Sequence, residues 1–355
     1  MSILGRYLSV RYVSYVSLVL FALVFLALAF ELLEKADQVL GAAPNGGETL
    51  ALFALLRLPE LTIQMLPFAC LLGTLITIMV LARHSELIAI WGGGMSAFGM
   101  LVALLPVAIG IGVLNLVVED RLVPAAIEQL RSWNVGGFRL NKSLADTSAV
   151  WVVSEPDIVR IPRSSGLAGT LSDISIFRRE PDGSLIERLH AERAELDGTG
   201  WLLNKVEVIS ATTAEVRRVD RMHWAGQIDI ANLPLLSKEY PELTLSELYH
   251  LILNRGFGQR PVYLAETWVF QRLSGVLTPL LLVGLVVSMV QRRDRVGGFG
   301  RILLVSLAVG FAYFVLDRAA LAMGESGLVP PWFAAFCIKT AMIGVIGAFL
   351  VRGES

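Results

Sequence analysis

Residues 97–118 read AFGMLVALLPVAIGIGVLNLVV, with no Asp, Glu, Lys or Arg. As a helix this run is about 33 Å long, enough to cross the roughly 30 Å of a bilayer's hydrocarbon. Two other uncharged runs precede it, at 12–30 and 61–82. Three apolar runs close the chain: 273–290, 302–323 with Asp317 and Arg318 inside it, and 329–351 with Lys339. Between the two sets lies a polar stretch of different character. The layout predicts an α+β membrane protein, with six transmembrane helices in a three-plus-three arrangement around an inserted β-domain. The expected divisions are 1–118, 119–262 and 263–355.

Composition supports this division. A 55% hydrophobic share with mean hydropathy +0.64 is too apolar for a soluble chain of 355 residues. Residues 119–262 hold 17 of the 30 Lys+Arg and 20 of the 31 Asp+Glu. The insert therefore has the charge of a soluble module. A net charge of −1 gives no electrostatic footprint for nucleic acid. Cys70 and Cys337 both fall within predicted spans, so no disulfide braces the insert. The first run is too long for a signal-peptide core, and Phe30 leads directly into Glu31-Leu32-Leu33-Glu34-Lys35, so it reads as a retained helix.

Arginine and lysine in short loops set membrane orientation. Arg6, Arg11, Arg83, Arg292, Arg293, Arg295, Arg301 and Arg352 fall on one side, and only Lys35 and Arg57 on the other. Both termini are expected in the cytoplasm and the insert outside, in a bacterium the periplasm.

Within the insert the pattern alternates with period two, at 150–153, 174–177, 201–203 and 206–209. Pro181-Asp182-Gly183 and Asp197-Gly198-Thr199-Gly200 carry hairpin chemistry. Residues 188–195 fit either a helical turn or a strand. The expectation is an antiparallel sandwich or open, jellyroll-like roll of eight or more short strands, leading through the capping box Thr244-Leu245-Ser246-Glu247 into a short helix at 245–254.

Several chemistries are missing. The chain has no GxxxxGK[ST] loop, no HExxH or CxxC, and no nucleophile elbow. Neither a cofactor nor a metal is expected, and a Ser-His-Asp triad is only an assembly of scattered residues. Gly92-Gly93-Gly94 lacks the strand-before, helix-after setting of a dinucleotide loop and reads as a membrane-surface turn.

Some polar residues need a reason. Residues 82–96 read ARHSELIAIWGGGMS, placing Leu87, Ile88, Ile90 and Trp91 on one apolar helical face, with Arg83 and Glu86 on the polar side. This is either a charged loop anchoring two spans or a coupling helix that docks into a partner ATPase. Glu31, Glu34, Lys35 and Asp37 are either solvated flanking charge or place Lys35 against an anionic head group. Arg272, Asp317, Arg318 and Lys339 lie at depths where charge is costly, so they either face the protein interior or snorkel. Asp317 and Arg318 diverge by about 100° on a helix and need not pair with each other.

These residues carry a family resemblance covering nearly the whole chain. It resembles the LptF/LptG (YjgP/YjgQ) permeases of the lipopolysaccharide-export ABC transporter. The match rests on the three-plus-three layout, Arg57-Leu58-Pro59 with Leu66-Pro67, and Arg83-His84-Ser85-Glu86-Leu87, similar to the family's R-x-S-E-L run. Gly94-Met95-Ser96, Arg272-Leu273-Ser274 before Pro279, and Pro330-Pro331-Trp332 add to it. Residues 30–34 look closer to the LptG than to the LptF branch. The chain departs from the family pattern at Trp91-Gly92-Gly93, where two glycines cost about 1–2 kcal/mol of helix propensity.

The resemblance implies a heterodimer with a paralogous permease, two copies of the ATPase LptB, and a β-domain bridge through LptC to LptA. It places ATPase coupling on Arg83, Ser85, Glu86, Leu87 and Trp91. It assigns lipid A phosphates to Lys35, Arg57, Arg272 and Arg318, and acyl chains in transit to the inward faces of Trp151, Ile176 and Trp201. The competing readings are a mechanotransmission or scaffold protein that moves no lipid, and a membrane enzyme, for which no acid, base or metal cluster stands out.

Overall fold

The structure, a computed structural model, describes residues 3–40, 46–132, 150–154, 156–162, 170–180, 184–197, 200–211, 215–226, 238–253, 261–289 and 299–354. In chain order the helices are α1 (Ile3–Leu40), α2 (Gly46–Arg83), α3 (Glu86–Gly92), α4 (Ala97–Val117), a π-helical turn (Val118–Leu122) and α5 (Val123–Ser132). After strands β1 to β6 come α6 (Leu245–Leu253), α7 (Val262–Gly275), α8 (Thr278–Met289), α9 (Phe299–Glu325) and α10 (Pro331–Glu354). The chain divides into two compact units, Met1–Phe138 with Glu266–Ser355, and Arg139–Ala265.

The first unit is helical. Among the described residues, five helices are long and apolar enough to cross a membrane, and α7 with α8 makes a sixth if the bent pair counts as one span. Helix α8 forms the middle of the bundle, with Leu281 through Met289 buried on all sides. The outer helices reverse this pattern: Phe21 is 74% exposed, and Phe25, Phe30, Leu114 and Phe311 are exposed too. A soluble protein does not display aromatic faces of that extent, whereas hydrocarbon is their natural solvent.

Two features differ from the uncharged runs in the sequence. Helical structure does not stop at Val118 but continues through the π turn to Ser132. The run at 273–290 is not one helix, because α7 and α8 meet at a 46° bend. Pro279 causes it: the ring nitrogen has no hydrogen for the Gly275 carbonyl, and the ring crowds that carbonyl. Instead Leu277 N–H closes onto Ser274 O at 3.0 Å, and α8 restarts with proline in its first turn. Arg292, Arg293 and Arg295 lie outside the described residues.

In the second unit, β1 (Val150–Ser154), β2 (Asp157–Ile161), β3 (Thr170–Arg179), β4 (Leu185–Asp197), β5 (Gly200–Ser210) and β6 (Val216–Trp224) form one antiparallel sheet in sequential order. Six strands are described where eight or more were expected, and residues 188–195 resolve as part of strand β4. Both hairpin turns, at 181–183 and 198–199, lie outside the described residues.

The buried face gathers Val152, Val159, Ile176, Leu189, Val208, Trp201 and Trp224. Its alternation breaks along one row. Leu171 and Ile174, Ala191 and Ala194, and Leu203 and Val206 are all buried at a spacing of three rather than two. The residues skipped in the pairing are Asp173, Glu192, Lys205 and Asp220, and Asp173 and Lys205 adopt φ of 58° and 50°. Each of the four strands carries one extra outward residue at the same level, so the sheet creases without losing register.

The sheet also rolls. Trp224 Nε1 on β6 donates to Asp157 Oδ2 on β2 at 2.8 Å, although three strands separate them in the sheet. Flat strands at about 4.8 Å spacing would hold them nearly 20 Å apart. Asp157→Ala strands the buried indole N–H and is expected to destabilise the full-length protein by about 2–3 kcal/mol in denaturation followed by tryptophan fluorescence. Asp157→Asn keeps an acceptor and is expected to cost much less.

The capping box at α6 forms as the sequence predicts. Glu247 N–H donates to Thr244 Oγ1 at 3.2 Å, and Thr244 N–H to Glu247 Oε2 at 2.7 Å. Burial opposes ionisation of Glu247, but Lys238 and the Thr244 bonds outweigh it and hold the carboxyl below its ordinary value.

Candidate functional site

The corner between α2 and α3 is built on strain. Ser85 sits at φ 58°, ψ 8°, a left-handed conformation that costs a serine about 1–2 kcal/mol. It turns the chain so that Leu87 and Ile90 enter the bundle core while Glu86 stays at the surface. Trp91 packs half-buried against the same core, and Arg83 and Ser85 are exposed. Ile88 does not join the buried face as its spacing suggested; it is 64% exposed beside Ala89. On a helix of 7 residues the inward arc buries Leu87 and Ile90 fully and Trp91 in part.

The triple glycine has a definite role. Met95 N–H reaches Ile90 O at 3.3 Å and Gly94 N–H reaches Trp91 O at 3.0 Å, the paired bonds of a Schellman cap. Gly94 has φ +88°, which a side chain resists. Helix α3 therefore ends at Gly92, closed by this cap.

Far along α1, Glu31 accepts from Lys35 Nζ at 2.7 Å and lies 2.8 Å from Arg57 Nε, while Arg57 also binds Glu60. Lys35 and Arg57 thus already share a carboxylate that binds α1 to α2.

A polar belt crosses the bundle at the level of the bend. Arg272, with a side chain 0% exposed, has Nε 3.4 Å from Glu119 and Nη1 3.7 Å from Asp120, on the π turn. Its neighbour Gln271 faces α9 and α10: Gln271 Nε2 donates to Asp317 at 2.9 Å, and Lys339 Nζ donates to Asp317 at 2.7 Å and to Gln271 at 3.4 Å. Asp317 thus pairs with Lys339 rather than with adjacent Arg318. Arg318 is exposed.

In the sheet, Ile176 and Trp201 share the buried face, but Trp151 does not. Period two puts Val152 inward, and Trp151 stacks on Phe177 on the opposite face, with ring centroids 5.3 Å apart. That face also lines up Ser175 Oγ, 3.3 Å from His190 Nδ1, with His190 Nε2 3.4 Å from Asp173. The order is that of a hydrolase relay, but Ser175 is 0% exposed in the middle of a strand, so no substrate carbonyl can reach it.

The family of lipopolysaccharide export system permeases LptF/LptG matches residues 6–352. The chain belongs to the LptF/LptG family. Among curated relatives, LptG of Haemophilus influenzae is 24% identical over 312 residues, covering 85% of both chains. LptG of Escherichia coli K12 is 21% identical over 364 aligned positions, covering 99% of both. As a member of this family the chain is a membrane permease subunit of the lipopolysaccharide export system.

The sequence singles out Glu86 but not the residues that contact it, Tyr7, 79 positions away, and Arg11. It does not single out Glu119, Asp120 or Gln271 either. The first two carried a signal, being the charges that end the uncharged run at 97–118.

Proposed function

We propose that this chain is the LptG-like half of an ATP-driven extractor of lipopolysaccharide from the bacterial inner membrane. It pairs with an LptF-type paralogue, takes its stroke from an LptB dimer, and passes lipid through its β-domain toward LptC and LptA. Both termini and α3 lie in the cytoplasm and the sheet in the periplasm, as the arginine bias requires. The observation that carries the reading is α3 itself. It is a short helix rooted by Leu87 and Ile90 that offers Ile88 and Ala89 outward, as a docking helix must. Lifting acyl chains out of a bilayer costs about 0.8 kcal/mol per CH₂, so the work needs a nucleotide-hydrolysing partner.

Within this reading Arg318, exposed on α9, and Lys35 at the edge of the Glu31 network meet the lipid A phosphates. Arg57 and Arg272, engaged by internal carboxylates, hold the helices that shape the cavity. Ile176 and Trp201 belong to the face that receives acyl chains.

The test is purification of the tagged chain from native membranes in mild detergent, with the eluate assayed for ATP hydrolysis and bound lipopolysaccharide. Both are expected with wild type. Ile88→Glu is expected to lose at least about tenfold of the co-eluting ATPase, as burying one unpaired charge at an interface core does. A wild-type chain that elutes without ATPase or lipid favours a scaffold and ends the proposal.

A further inference from the structure

The carboxylate at the head of α3 is held from α1. Tyr7 Oη donates to Glu86 Oε2 at 2.5 Å, and Arg11 Nη2 lies 3.7 Å from Glu86 Oε1, so each carboxylate oxygen has its own α1 partner. Arg11 also lies over the Tyr7 ring, 5.2 Å from its centroid, so the two α1 groups brace each other. They stand one helical turn apart. The other flank of these turns is anchored, because Leu8 and Tyr12 are buried in the core that also holds Leu87 and Ile90. A displacement of α3 therefore meets α1 through a charge-assisted clamp and a packed flank together.

What α1 can do with that displacement follows from its sequence. It runs unbroken from Ile3 to Leu40 without a proline, whereas α2, the other helix leaving this corner, carries Pro59 and Pro67 inside it. Proline interrupts the hydrogen-bond ladder and softens a helix. The unbroken helix is the stiffer connection. From Tyr7 to Glu31 it spans about 36 Å, and at Glu31 a second ionic cluster joins it to Arg57 of α2. One rod thus bears an ionic hook near each end, the first on the coupling segment and the second on the neighbouring helix.

We infer that Tyr7 and Arg11 are positioning residues which fix Glu86 and hand the movement of α3 to α1, making α1 the transmission rod of this permease. The inference rests on the transport reading above and adds to it a path inside the chain. Neither residue touches lipid or nucleotide in this scheme. Their loss uncouples the stroke from its work without removing the docking face of α3, which is formed by Ile88 and Ala89.

The experiment uses the complex co-purified with this chain, reconstituted in phosphatidylethanolamine and phosphatidylglycerol vesicles loaded with lipopolysaccharide. It measures lipopolysaccharide released per ATP hydrolysed. Tyr7→Phe and Arg11→Gln are expected to lower that ratio about tenfold while ATP hydrolysis stays within roughly twofold of wild type, an ordinary size for coupling between two sites. Arg11→Lys, which keeps a cation at Glu86, is expected to retain most of the ratio. If hydrolysis and release fall together and the ratio stays at the wild-type value, the residues serve only stability or assembly and the inference is overturned. A wild-type complex that releases no lipid on ATP addition overturns the transport reading, and the inference falls with it.

Discussion

Lys339→Met is expected to destabilise the helical unit by about 3–5 kcal/mol, because it removes one half of a buried ion pair and leaves the other half behind. The Lys339 side chain is 1% exposed, with Nζ 2.7 Å from Asp317 Oδ1. Gln271 completes the triangle by donating to Asp317 Oδ2 at 2.9 Å and accepting from Lys339 at 3.4 Å. Without the ammonium, Asp317 retains the Gln271 amide alone among the described residues against the desolvation of a full charge. The three residues come from α7, α9 and α10, so the loss falls on the contact of three helices at once.

The diagnostic comparison is the double variant Lys339→Met with Asp317→Leu. Replacing a whole buried pair by apolar groups of similar volume is often neutral or better, so the double variant is expected to recover most of the stability lost by Lys339→Met. Thermal unfolding of the purified chain in detergent measures both. A single variant that costs under about 1 kcal/mol would show the pair to be hydrated and of the surface class.

The uncharged runs were legible because hydrocarbon thickness sets a length that sequence displays directly. The run 97–118 is α4 almost to the residue. The bend in the run 273–290 was less visible, since Gly275 and Pro279 signal a break but not its angle. The sheet was read from alternation, and there the crease defeats it. Two consecutive outward residues at Asp173, Glu192, Lys205 and Asp220 shift the phase of four strands, and a rule of period two cannot anticipate a shift shared across a sheet. Trp151 illustrates a different limit. The resemblance places it on the inward face, but its neighbour Val152 holds the inward position and the large ring packs outside on Phe177.

At the site, single residues were legible and their partners were not. Glu86 stands out in a motif, but Tyr7 and Arg11 reach it only because α1 and α2 pack side by side. Arg272 was marked as an intramembrane charge, while its counter-ions Glu119 and Asp120 sit where the sequence suggested that the soluble segment had begun. Contacts of that kind depend on which helices meet, and apolar runs of similar composition carry little information on their neighbours.

Gly112→Ala is the second substitution expected to have a large effect, and its sign sets it apart from a neighbouring control. A Cβ at Gly112 would lie 2.1 Å from the carbonyl oxygen of Val276 and 3.0 Å from its Cα. The obstacle is backbone at the α7–α8 bend, so no rotamer change relieves it and α4 must move away. That movement strains the same junction that holds Arg272 against Glu119 and Asp120, on the π turn about two helical turns beyond Gly112. Overpacking of this kind costs about 1–3 kcal/mol, and disturbing the buried ion pairs places Gly112→Ala at or above the upper end. At Gly110, two residues earlier, a Cβ meets nothing within 4 Å. There alanine only restricts the unfolded chain and is expected to gain about 0.5–1 kcal/mol. Unfolding midpoints that move in opposite directions for the two variants confirm that α4 and the bend are in backbone contact. Similar shifts for both variants would mean that the bend gives way cheaply, and that the polar belt rather than the Gly112 contact holds α4 in place.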